Sequence, residues 1–173
     1  GLWGAGVRPS RQTWRARKGV GYAALSGAPV RATGDGKVRF ARTFVVRDAG
    51  GRALLSVRER LLVLDPTFEI KAGRRLVASV RRTTTSGAAR DRFEIPVAGA
   101  AGQLLTARGK LVRDRVTIER GQGRVGEVSR EQGTLVHEIF HVTVAPDEDQ
   151  ALLLAVAMAI VETDPHRGED RSS

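Results

Sequence analysis

At 173 residues the chain has the length of one domain with room for a packed core, and its formal net charge of +10 favours phosphate-bearing partners, lipid or nucleic acid. It has no Cys, which excludes disulfides, thiolate metal sites and a cysteine nucleophile. No apolar run reaches the ~18 residues of an ordinary membrane-spanning helix.

The charge is unevenly placed. Residues 1–34 hold six Arg and Lys and no acid, whereas 35–173 hold 23 basic and 19 acidic residues. The first stretch is rich in Gly, Ala, Arg and Ser and shows no sustained period of 2 or 3.6. Residues 1–33 therefore read as an atypical basic segment, disordered or translated out of frame.

From residue 35 short alternating segments appear, broken by Gly, Asp and Pro. Residues 37–40 and 43–47 read as strands. Asp48-Ala49-Gly50-Gly51 reads as a hairpin turn. Residues 52–60 follow, with Leu55 and Val57 on one face and Arg58 and Arg60 on the other. Asp65-Pro66 is a turn. Phe68 and Ile70 alternate with Glu69 and Lys71, Ala72-Gly73 turns, and Leu76, Ala78 and Val80 share a face. A polar loop leads to a strand at 92–97, which Pro96 restricts to an edge or bulge. Residues 104–111 read as two short strands joined at Gly109. Val116 and Ile118 alternate with Thr117 and Glu119, and Gly121-Gln122-Gly123 turns. Val125 and Val128 have opposite parity, which marks a bulge near Gly126. Residues 134–144 read as a strand.

The last element differs in kind. Asp147-Glu148-Asp149-Gln150 is a helix start, with acidic side chains for the orphan N–H groups. The eleven residues 151–161 are all apolar. A helix apolar on every side must be enclosed. Its burial is worth on the order of 10–20 kcal/mol gross. The reading is mainly β: a closed or nearly closed antiparallel barrel around a hydrophobic C-terminal helix at 147–162, with a disordered tail at 165–173.

The segments GDGKVRF, DAGGRALLSVRERLLVLDPTFEI, RRLVASVRR, VTIERGQGRVGEVSRE and VTVAPDEDQALLLAVAMAIVE, in this order and spacing, resemble the LURP-one-related family. The resemblance covers 34–164. It implies the tubby C-terminal-like fold, shared with the phospholipid scramblases, and implies no enzyme activity. It also implies two further strands, rich in aromatics and acids, where this chain has residues 1–33. On that reading the barrel lacks two strands and has exposed edges.

Three chemistries compete. The arginines Arg58, Arg60, Arg74, Arg75, Arg81, Arg82, Arg113 and Arg115 on the outer face are candidates for anionic phospholipid headgroups. That reading makes the protein a non-enzymatic cytoplasmic module, peripheral at a membrane surface and without cofactor. His137-Glu138-Ile139-Phe140-His141 matches H-E-x-x-H, which on a helix would hold zinc for a hydrolase, with Glu162 as a third ligand. The β-branched and aromatic residues around it favour a strand instead. Nonspecific nucleic-acid binding through the same arginines is the third. Gly121, Gly123 and Gly126 match G-x-G-x-x-G but lead into no helix, which argues against a dinucleotide site.

Overall fold

The described residues form twelve strands followed by one helix, and strand-forming alternation marks the last nine strands. The computed structural model describes residues 10–17, 20–25, 28–34, 43–60, 67–83, 91–99, 104–110, 115–131 and 138–163, and for those up to 34, and for 110, 131, 138 and 139, it gives the backbone. The strands are β1 Ser10–Arg17, β2 Val20–Leu25, β3 Ala28–Gly34, β4 Thr43–Arg47, β5 Ala53–Arg60, β6 Thr67–Ala72, β7 Arg75–Arg82, β8 Asp91–Pro96, β9 Leu104–Lys110, β10 Arg115–Arg120, β11 Gly123–Glu131 and β12 Glu138–Val144. The helix, α1, is Gln150–Glu162. The strand expected at 37–40, the turn at Asp65-Pro66, Arg113, His137 and the tail at 165–173 lie outside the described residues.

All neighbours pair antiparallel in sequence order. The nine strands β4–β12 curl into a half-barrel that is open between β4 and β12. The backbone of β1–β3 spans that opening: β3 pairs with β4, and β1 pairs with β12, so the ladder closes. This differs from the expectation of disorder over residues 1–33. Strand pairing is made by main-chain N–H and C=O groups, and the free edges of β4 and β12 offer both to any extended segment. A segment without alternation can satisfy them.

Alternation decides what faces inward. Phe68 and Ile70 on β6, and Val116 and Ile118 on β10, are buried in the same core cluster as α1, whose residues Leu152 to Glu162 are all buried. Three register shifts interrupt the ladders, between Val46 and Arg47, Ile70 and Lys71, and Ile118 and Glu119. Such irregularities increase twist and help a sheet to curl. The third sits opposite Val125 and explains how Val125 and Val128 are both buried despite their opposite parity, as the bulge near Gly126 predicted.

Three local expectations change. Pro96 lies in an internal strand, paired to β9 at Leu104. It is tolerated because the β7–β8 ladder is broken beside it: pairing holds at Arg81↔Glu94 and resumes only at the isolated bridge Ala78↔Val97. The missing N–H falls in that gap. Gly109 does not separate two strands. It lies within β9 at φ 152, between Asp91 on β8 and Val116 on β10. The helix begins at Gln150 rather than 147. Asp149 is the cap, extended at φ −66 and ψ 102, and its Oδ1 accepts from the Leu152 N–H at 3.0 Å. At the other end the Thr163 hydroxyl donates to the Ile160 carbonyl at 2.7 Å, satisfying one of the orphan acceptors.

Candidate functional site

Alternation sends the charged strand residues to the outside, and register then decides which charges meet. On β6, Glu69 stands directly opposite Arg58 of β5. Its carboxylate lies 2.7 Å from Lys71 Nζ and 3.5 Å from Arg60 Nε. The hydrogen bond from Lys71 holds the Glu69 carboxyl below its ordinary value, against the upward push of partial burial, and Arg60 and Arg58 add to the lowering. A lowered folded-state value means a stability contribution that is present above the unfolded-state value and lost as pH falls through the folded one. Glu69→Gln is therefore expected to destabilise the protein at about pH 7, with the deficit fading as pH falls through the lowered folded-state value. Urea unfolding across an acid-to-neutral pH series measures it, and a deficit unchanged in acid would contradict this account.

The other candidates divide in the same way. Arg81 Nη2 is 2.6 Å from Glu94 Oε2 on β8. Arg82 Nε donates to Asp91 Oδ1 at 3.1 Å. Arg115 Nη1 is 3.6 Å from Glu127 Oε2, a carboxylate that Arg124 also engages. These arginines have carboxylate neighbours across or along the strands.

Arg74 and Arg75 differ. Both are exposed, in the two-residue turn Gly73–Arg74 and at the first position of β7, and neither forms an ion pair among the described residues. Gly73 at φ 59 supplies the left-handed conformation that this tight turn needs. The two arginines lie on the rim where α1 enters the barrel. Arg60, Arg81, Arg82 and Arg115 lie toward the opposite rim. The eight candidates therefore form no single cluster.

Two features escaped the sequence reading. Arg92 and Arg108 stand directly opposite one another on β8 and β9, both exposed, a pairing that only the register reveals. Leu76 and Leu104 are 43% and 46% exposed, although alternation assigned Leu76 to the inner face. The register shift between Ile70 and Lys71 sets Leu76 opposite Lys71, whereas Ala78 pairs with Ile70, so Leu76 turns to the outer face.

The H-E-x-x-H match has no helix beneath it. Glu138 to Val144 form strand β12, so positions i and i+4 are separated by about 13 Å at ~3.3 Å per residue. His141 stands opposite Thr13 and Ser129 on the neighbouring strands. Glu162 is buried at the end of α1. Among the described residues no three His, Cys, Asp or Glu gather as a metal site.

Residues 25–161 match the family described as LURP-one-related. The chain belongs to the LURP-one-related family. It is similar in structure to a protein from Arabidopsis thaliana solved by X-ray crystallography, at 16% sequence identity and a TM-score of 0.61, over 89% of this chain and 90% of that one. At that identity the likeness shows the fold alone. It fits the tubby-like arrangement of an antiparallel barrel and a C-terminal helix that the sequence resemblance implied. No curated protein matches the chain. Among the described residues no helix is long and apolar enough to cross a membrane.

Proposed function

We propose that this LURP-one-related chain is a non-enzymatic barrel that binds anionic phospholipid headgroups at a membrane surface. The observation that carries the reading is the state of Arg74 and Arg75. They are exposed cations on a rigid hairpin, without a carboxylate partner among the described residues. A guanidinium whose charge is already met by a neighbouring carboxylate has little attraction left for a phosphate. One without such a partner keeps all five donors and its full charge for a ligand. Juxtaposed basic side chains near an anionic bilayer contribute about 1 kcal/mol each, which fades within a Debye length.

Flotation of the full chain with neutral and anionic vesicles, at low and high salt, tests it. Recovery with phosphatidylserine-containing vesicles that falls as salt rises is the expected result. Equal recovery with phosphatidylcholine alone, or none with either, would overturn the reading.

A further inference from the structure

Two large hydrophobic side chains are exposed among the described residues, Leu76 and Leu104. They do not lie at random. Leu76 is the second residue of β7 and Leu104 the first of β9, both at the rim where α1 enters. One strand, β8, separates them, and they are staggered. Leu104 pairs with Pro96, while the register of Arg81↔Glu94 and Ala78↔Val97 carries Leu76 on toward Gly99, so they are about 14 Å apart at ~4.8 Å per strand and ~3.3 Å per residue.

The surface between and beside them has a consistent chemistry. Pro96, Ala98 and Gly99 at the end of β8 are exposed and uncharged, and Val97 is half-buried. Arg74 and Arg75 border this apolar strip on the β6 side. Among the described acids of this rim, Glu119 on β10 and Asp147 before α1 lie outside this sector, and three others are engaged elsewhere. Asp48 Oδ1 accepts the Arg52 N–H at 2.9 Å. Glu148 is held by Arg120 in two parallel bonds of 2.6 and 2.7 Å, over by the β10–β11 turn. Asp149 caps α1. The sector from β6 to β9 thus presents cations and leucines together, without a free carboxylate among the described residues.

We propose that this rim sector is the face that lies on an anionic bilayer, with Leu76 and Leu104 entering the headgroup region while Arg74 and Arg75 meet lipid phosphates. The inference rests on the headgroup-binding reading above and adds an orientation to it. An apolar strip edged by cations suits an interface that is apolar within and anionic at its surface. The barrel then stands on its rim, with the axis of α1 pointing toward the membrane. Arg60, Arg81 and Arg82, ion-paired on the β5–β7 wall, lie toward the opposite rim.

The test compares full-length variants on vesicles containing phosphatidylserine, after circular dichroism shows that each is folded. Leu76→Ser with Leu104→Ser is expected to weaken binding about tenfold and to remove what binding remains at high salt. Arg74→Gln with Arg75→Gln is expected to weaken low-salt binding by on the order of tenfold. Arg81→Gln with Arg82→Gln, at two arginines ion-paired toward the opposite rim, is expected to stay within about twofold of the parent. The absence of Cys allows a site-specific probe. An environment-sensitive fluorophore on Leu104→Cys is expected to shift to the blue with anionic vesicles, and one on Thr43→Cys, at the opposite rim, is not. If the parent binds but the leucine variant binds equally well, or both probes respond alike, the orientation is overturned and headgroup binding stands. If the parent shows no preference for anionic vesicles, both fail together.

Discussion

Leu154→Asp is expected to abolish the folded barrel. Leu154 is fully buried near the middle of α1 and lies in the core cluster to which the inner faces of β4 through β12 contribute. Removing the leucine leaves a cavity that costs about 2–5 kcal/mol. The aspartate adds a carboxyl that must either stay ionised in an apolar interior or take up a proton there, a further cost of several kcal/mol. Helix propensity adds a few tenths. Together these losses rival the roughly 5–15 kcal/mol by which an ordinary domain is stable. Circular dichroism and urea unfolding should show a chain without a cooperative transition. Leu154→Met keeps volume and polarity and is expected to cost less than about 1.5 kcal/mol. A cooperative transition within about 1 kcal/mol of the parent for Leu154→Asp would mean that α1 is not the centre of the core.

Gly109→Ala is expected to cost on the order of 3 kcal/mol, the largest effect of any single methyl group placed on the described backbone. Two independent causes act at one position. The backbone sits at φ 152, which L side chains rarely adopt, and an added Cβ would lie 2.1 Å from the Arg115 carbonyl oxygen and 2.8 Å from Val116 Cα. Both obstacles are main-chain atoms of the paired strand, so no rotamer change can relieve them. β9 and β10 would have to separate locally, breaking pairs such as Gly109↔Val116. Gly123→Ala is the matched control. Its φ is not positive and its Cβ would meet the Arg120 oxygen at 3.5 Å, an ordinary contact. Thermal unfolding of both variants decides the matter. Similar midpoints would show that β9 can shift freely at Gly109.

Local pattern carried a good deal of this structure. Alternation at Phe68 and Ile70, or at Val116 and Ile118, requires only that one sheet face be dry, and the strands formed there with those residues inside. The eleven apolar residues at 151–161 demanded enclosure, and the barrel supplies it. The acidic cluster before those residues read as a helix start, and the Asp149 cap is an interaction within one turn of the chain, of a kind legible without knowing what surrounds it, although its position within the cluster was not.

What depended on tertiary structure is what depended on register. Pro96 reads locally as an edge residue, yet it occupies an internal strand because the break in the β7–β8 ladder falls beside it. Gly109 reads locally as a junction, yet it continues a strand because β10 passes too close for a side chain. Glu148 reads as a helix cap, yet it leaves the helix to grip Arg120, 28 positions earlier. The eight arginines look alike in sequence. Only the strand pairing sets Arg81 beside Glu94 and Arg82 beside Asp91 while leaving Arg74 and Arg75 on a turn with no carboxylate partner among the described residues. Hydrophobic period is a property of consecutive residues, so from residue 43 onward the sequence determined which segments become strands, which becomes the helix and, away from the bulges, which faces turn inward, whereas β1–β3 are strands because of the edges they pair with. Charge compensation is a property of residues brought together from different strands, so the candidate surface was decided by the folded sheet.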